Sequence, residues 1–289
     1  MAVATATEPP PPGAGSVEAS RSRKPSRVSL RNDVNPIGAE RTHCHAVSLQ
    51  CSHDKRGPDQ TGVRVILWDV DGTLVQTAGV GAEAFNTAIE TLYGVPAGHH
   101  GVSLAGKTDP QIAREILTVL DLHDDAEARL PGLLAETERL VAAGRDRIRE
   151  RGKILPGVPA LLDGLQRSGA VQTVLTGNTA ANAAVKLDAF DLPRWLDLDV
   201  GAYGSDNADR NALVEVALTR VEARYGPVDR SRVWVVGDTP LDAACARAGG
   251  VRCLLVAGGF APRAALDAAG ADHVVDDLTD TETILSLLT

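Results

Sequence analysis

With 289 residues, 44% of them hydrophobic and 23% charged, the chain is long enough to bury one full core and a smaller second unit. A formal net charge of −9 argues against a nucleic-acid binder, because a phosphate backbone selects for basic surface. No apolar run approaches the roughly 20 residues that span a bilayer, and no apolar h-region opens the chain, so neither a membrane partner nor a secretory signal is expected. Cys44, Cys51, Cys245 and Cys253 follow no dense spacing pattern, which predicts reduced thiols and a cytoplasmic protein.

In chain order, residues 1–60 come first. They are rich in Pro, Ser, Ala and Arg, show no helical or strand period, and are expected to be a disordered extension. His43, Cys44, His45, Cys51 and His53 gather in "HCHAVSLQCSH", but their spacing fits no zinc pattern. At 63–68, "VRVILW" is a short continuous apolar run of the kind a strand buried on both faces requires. Residues 80–152 then carry only helical patterns: "AEAFNTAIETLYG", "DPQIAREILTVLDLH" and the long "DAEARLPGLLAETERLVAAGRDRIRERG". They predict an all-helical unit inserted after the first strand, with the core formed by 61–79 and 153–289.

Further apolar runs follow at 170–178, 196–204, 232–238 and 251–259, with a short edge candidate at 272–277. Helical patterns at 159–169, 210–226 and 240–250 alternate with them. Strand and helix in alternation predict an α/β core: a doubly wound, Rossmann-like parallel sheet with helices on both faces. Aromatic residues make up only 3%, so its core must be mostly aliphatic.

In such a sheet, functional groups collect at the C-terminal strand ends. The first strand delivers Asp69 and Asp71 with Gly72 and Thr73, the second Thr176, Gly177 and Asn178, and the fourth Gly237 and Asp238, with Asp242 one turn on. A carboxylate cluster of this kind is costly unless a cation shares it. Hard oxygen ligands suit Mg²⁺, which keeps several waters and also binds substrate phosphate. Thr73 and Thr176 offer donors suited to an oxyanion, and the glycines allow close backbone approach. A calcium-binding loop starting at Asp69 would need Gly at its sixth position and Glu at its twelfth, where Leu74 and Val80 stand.

"DVDGTL" (69–74), "LTGN" (175–178) and "GDTPLD" (237–242) together resemble three motifs of the haloacid dehalogenase superfamily, and the likeness runs from residue 63 to the end. It is similar to phosphoglycolate phosphatases in particular. The resemblance implies an aspartyl-phosphate mechanism on a small-molecule phosphate ester. Asp69 would be the nucleophile and Asp71 the general acid and then base. Thr73, Thr176, Gly177 and Asn178 would hold the phosphoryl group. Mg²⁺ would be bound by Asp69, Asp238 and the Asp71 backbone carbonyl, with Asp242 supporting that shell. The helical insertion would be a cap that closes over the site and chooses the substrate.

The family's basic third motif, usually Lys-Pro, is missing. Arg210 is the substitute and Lys186, mid-helix in "NAAVKLDAF", its rival. In the cap, "LAGKTD" (104–109) interrupts the helices. Lys107 and Thr108 there are candidates for leaving-group contact. The alternative is that Lys107 is a solvated loop residue and Asp109 caps the next helix ahead of Pro110. Phe85 and Tyr93 read as cap packing. A phosphosugar mutase would share every motif. A dehalogenase normally lacks the second aspartate, a phosphonate hydrolase replaces it with a small residue, and retention of Asp69 and Asp71 argues against a non-catalytic binding module. The assembly is expected to be a monomer or homodimer.

Overall fold

The computed structural model describes residues 62–289 except positions 97 and 99, so the expected disordered extension and its His/Cys cluster lie outside the described residues. The chain enters through strand β1 (Val63–Trp68) and a tight turn, then a two-residue strand β2 (Val75–Gln76). Four helices follow: α1 (Val80–Tyr93), α2 (Asp109–Val119), α3 (Ala126–Ala143) and α4 (Arg145–Arg151). The chain returns through β3 (Lys153–Ile154), α5 (Val158–Arg167), β4 (Val171–Thr176), α6 (Ala180–Asp188), β5 (Ala202–Tyr203) and α7 (Leu213–Tyr225). It ends with β6 (Val228–Gly237), α8 (Pro240–Ala248), β7 (Arg252–Val256), α9 (Arg263–Asp267), β8 (His273–Val275) and α10 (Thr281–Leu288).

Six of these strands form one parallel sheet in the order β5-β4-β1-β6-β7-β8. The apolar runs are continuous because each strand is covered twice. Successive side chains alternate faces, so Ile66 and Trp68 join Val174, Trp234 and Val236 beneath α5, α6 and α10. Val65 and Leu67 join Leu175, Val233 and Val235 beneath α7 and α8. β1 lies at the centre, flanked by β4 and β6, and its C-terminal end therefore faces the ends of both neighbours.

The helical insertion leaves and rejoins the core through an antiparallel clasp, β2 against β3, with Val75 opposite Ile154 and Gln76 opposite Lys153. The insertion has its own core of Phe85, Ala88, Ile89, Ile112, Ile116, Leu117 and Leu133, against which Tyr93 packs. The long helical pattern from residue 125 breaks at Gly144, where an added Cβ would overlap Val80, separating α3 from α4. The run at 196–204 is strand only at Ala202–Tyr203. Asp197 donates its N–H to Gln172 O at 2.8 Å and accepts from Asp199 N–H, which turns the chain into a 3₁₀ segment before the strand can form. The helix expected from residue 210 likewise begins with a 3₁₀ turn over Arg210–Ala212.

Leu133 is fully buried where α3 meets α1 and α2. Leu133→Ala should therefore destabilise the protein by about 2–5 kcal/mol in urea unfolding. A loss below about 0.5 kcal/mol, typical of surface sites, would show that these helices share no common core.

Candidate active site

The turn after β1 places the first two carboxylates. Leu74 and Val75 both donate backbone N–H to Val70 O at 3.0 Å, and Val70 and Leu74 are fully buried, which pins the loop between them. Gly72 has φ of 83° and an added Cβ would overlap the Asp238 carboxylate. A side chain there is excluded by conformation and by space. Asp69 is 5% exposed and opens onto a cavity of about 620 Å³ between sheet end and helical insertion. Asp71, Thr176, Gly177, Asn178, Lys186 and Arg210 also line it.

Arg210, in the 3₁₀ turn before α7, faces the start of α8. Its Nη2 is 3.2 Å from Asp69 Oδ1 and pairs with Asp242 Oδ1. Cys245, a buried free thiol on α8, donates to Arg210 O at 3.0 Å and anchors its backbone. Asp242 is saturated: its Oδ2 accepts from Thr239 N–H at 3.0 Å and Thr239 Oγ1 at 2.8 Å in a capping box that starts α8. Asp238 differs. Its Oδ2 accepts from Phe260 N–H at 2.6 Å, but Oδ1 is buried with no partner. Asp69, Asp238 and Asp242 bring ligand oxygens within 4.8 Å of one another. Such a cluster, with one orphaned oxygen, fits a small divalent cation held by Asp69 and Asp238. Asp242, counted among the metal residues from the sequence, belongs to this cluster and also pairs with Arg210.

Lys186 lies on the β4 side, buried on α6. Its Nζ donates to Asp71 Oδ2 at 2.5 Å and to Asn178 Oδ1 at 2.6 Å. The two rival cations of the sequence are thus both present, on different carboxylates. Asn178 Nδ2 donates to Asp71 Oδ2 and to Thr176 Oγ1, each at 2.8 Å, so its side chain is spent on Asp71. Thr73 is not among the residues lining the cavity. Its side chain is fully buried and its hydroxyl has no partner, because the turn directs it inward.

The turn at 104–109 docks onto the core. Asp109 N–H donates to Gly177 O at 2.7 Å, Thr108 Oγ1 to Ala208 O at 2.7 Å and Arg210 Nη1 to Gly106 O at 3.2 Å. A Cβ on Gly177 would overlap the Lys107 carbonyl, so only glycine permits this approach. Thr108 caps α2 by accepting from Gln111 N–H. Asp109 does not cap the helix. It is buried and accepts from Thr179 N–H at 2.9 Å and Asn182 Nδ2 at 2.8 Å across the interface. Lys107 lines the cavity but its ammonium pairs with Glu115. Phe85 serves both the insertion's core and the cavity wall. Asn182 and Asp109 were not foreseen as partners. The only sequence signal was Asn182 and Lys186 four apart on a helix, and hence on one face.

A family model described as haloacid dehalogenase-like hydrolase matches residues 66–256. The chain belongs to the haloacid dehalogenase-like hydrolases. A Cupriavidus necator protein named "Phosphoglycolate phosphatase, plasmid" is 32% identical over 226 residues, covering 78% of this chain and 92% of that protein. A phosphoglycolate phosphatase of Caulobacter vibrioides is 29% identical over 228 residues, with the same coverage of 78% and 92%. Among solved structures, CbbY from Rhodobacter sphaeroides in complex with phosphate superposes with a TM-score of 0.57 at 22% identity, covering 75% of this chain and 96% of that one. A structure from Haemophilus somnus 129pt, titled a predicted phosphoglycolate phosphatase, reaches 0.60 at 17% identity, covering 78% and 99%. These structures share the fold. Among the described residues no helix is long and apolar enough to cross a membrane.

Burial raises the Asp69 carboxyl to about 6, against the opposing pull of Arg210. Burial, with Asp69 and Asp242 beside it, raises Asp238 to about 8. Burial works against the Arg210 charge, but Asp242 and Asp69 outweigh it and raise the pKa. For a carboxyl raised in the folded state, the stabilising contribution is present below its ordinary value and is lost as pH rises through the folded value. Without metal, the melting temperature of the wild type relative to Asp238→Asn should therefore fall as pH rises from 4 to 8, and Mg²⁺ should raise it more at pH 8 than at pH 5. Equal Mg²⁺ effects at both pH values would show that no cation meets these carboxylates. Arg210→Met leaves Asp69 and Asp242 without their cation and should cost about 3–5 kcal/mol in chemical unfolding.

Proposed function

We propose that this hydrolase is a Mg²⁺-dependent phosphatase that cleaves a small phosphate monoester through an aspartyl-phosphate on Asp69. The observation that carries this reading is the arrangement at the cavity floor. Asp69 is paired with Arg210 on one side, the unpartnered Asp238 Oδ1 lies on another, and Asp71 stands on the cap-facing wall with its own cation.

An Asp69 oxygen attacks phosphorus, the P–O bond to the leaving group breaks, and the leaving oxygen takes a proton from Asp71. Asp71 then removes a proton from the water that hydrolyses the acyl phosphate. Arg210 faces the nucleophile and offers a planar donor array to phosphoryl oxygens, with a buried Nε–H that has no partner. Thr176 lines the same cavity as a candidate phosphoryl contact, together with the Gly177 and Asn178 backbone. Mg²⁺ held by Asp69, Asp238 and the Asp71 backbone carbonyl would supply charge neutralisation for nucleophile and phosphoryl group. The docked cap turn excludes water from the reacting atoms. Phosphoglycolate is the first substrate to test, because the curated relatives carry that name. The cytoplasmic location and the monomer or homodimer expected above belong to this reading.

Wild-type protein with Mg²⁺ should release phosphate from phosphoglycolate or a generic monoester, and Asp69→Asn should reduce this by roughly 10³-fold or more without lowering the melting temperature. Retained turnover in that variant would remove Asp69 as nucleophile. Conversion of a sugar phosphate to its isomer without phosphate release would instead identify a mutase.

A further inference from the structure

We propose that Lys186 is a positioning residue that fixes which oxygen of Asp71 carries the catalytic proton. The inference rests on the reading of Asp71 as the proton carrier. Lys186 is only 5% exposed, in a helix, where an ammonium without partners would be costly. Its partners are specific: Asp71 Oδ2 at 2.5 Å and Asn178 Oδ1 at 2.6 Å. Asn178 in turn donates to the same Asp71 Oδ2 at 2.8 Å. Lys186, Asn178 and Asp71 therefore close a ring in which two donors converge on one carboxylate oxygen.

The consequence is chemical. An ammonium has no acceptor, and the Asn178 amide nitrogen is likewise a donor, so Oδ2 cannot bear a hydrogen facing them. That leaves Oδ1 as the oxygen for the catalytic proton; its single partner among the described residues is Thr77 Oγ1 at 3.2 Å, a hydroxyl able to turn and accept. In the first half-reaction the P–O electron pair goes to the leaving oxygen, which takes the proton from Asp71 Oδ1. In the second half Oδ1 receives a proton from water. Lys186 gives up no proton in either half.

The cation is separate from the one on the nucleophile. Arg210 contacts Asp69 and Asp242, whereas Lys186 contacts Asp71. The Lys186 charge also opposes the burial that raises the pKa of Asp109 in the cap, and Asp109 is held by Asn182 one turn earlier on α6. The backbone of α1 covers the ammonium at Gly81, where an added Cβ would lie 3.5 Å from Nζ.

The experiment compares Lys186→Met with wild type on two substrates. An alkoxide leaving group needs the proton from Asp71, whereas 4-nitrophenolate leaves without one. Lys186→Met should lower kcat on propyl phosphate by about 10²-fold or more, and on 4-nitrophenyl phosphate by less than about 10-fold, with KM changed by less than about threefold on both. In an Asp71→Asn background the same substitution should add little, because both act on one step. Lys186→Arg keeps a cation and should recover part of the propyl phosphate rate. Equal losses on both substrates, a loss carried by KM, or additivity with Asp71→Asn would overturn the proposal. Should Lys186→Met fail to fold, Lys186→Arg is read by the same substrate comparison. Failure of both to fold would assign Lys186 to the core and overturn it as well. If wild type hydrolyses neither substrate, or if Asp71→Asn keeps full propyl phosphate turnover, the proposed function falls rather than the role of Lys186.

Discussion

Crowding of carboxylates at one end of a sheet is the constraint on which this structure depends. Asp69, Asp71, Asp238 and Asp242 come from two strand ends and the helix start that follows, and Asp109 is brought in by the cap. Negative charge so placed is expensive. The fold offsets the cost locally: Arg210 bridges Asp69 and Asp242, Lys186 takes Asp71, and the α8 capping box takes the rest of Asp242. Asp238 Oδ1, buried without a partner among the described residues, marks where further positive charge belongs.

The same residues tie cap to core. Arg210 reaches the Gly106 carbonyl as well as Asp69, and α6 carries both Asn182, which holds Asp109, and Lys186, which holds Asp71. Docking of one short cap turn is thereby linked to the placement of Asp69 and Asp71. Two glycines permit the approach: Gly177 against the Lys107 carbonyl and Gly106 against Thr239. These contacts add to the short β2–β3 clasp and to the packing of Val80, Val141 and Ile148 against Ala189 in registering the insertion on the core.

The sheet, the helical insertion and the acidic strand ends were legible in the chain because each depends on local pattern. An apolar run bounded by turn signals specifies a doubly covered strand, and "DVDGTL", "LTGN" and "GDTPLD" sit where such strands end. The run at 196–204 misled because Asp197 could satisfy backbone groups within a turn, an option that hydrophobic pattern does not express. Residue type also named Thr73 as a phosphoryl contact, but direction turns its side chain to the interior, and residue type did not express the pairing of Asp242 with Arg210.

By itself, then, the sequence determined that the chain folds as a parallel α/β sheet with an inserted helical cap, and which carboxylates reach its functional edge, since both follow from period and position along one strand at a time. Only the tertiary structure decided how charge is shared there. Sequence did not show that Arg210 and Lys186 would pair with different carboxylates, Arg210 with Asp69 and Asp242 and Lys186 with Asp71. They reach β1 from opposite faces of the sheet, Lys186 on α6 over one and Arg210 between α7 and α8 over the other, and which carboxylate each meets depends on how the helices cover the sheet, a property no single segment contains. The role of Asp109 has the same origin: its partners lie on a core helix that meets the cap only once the chain has folded back.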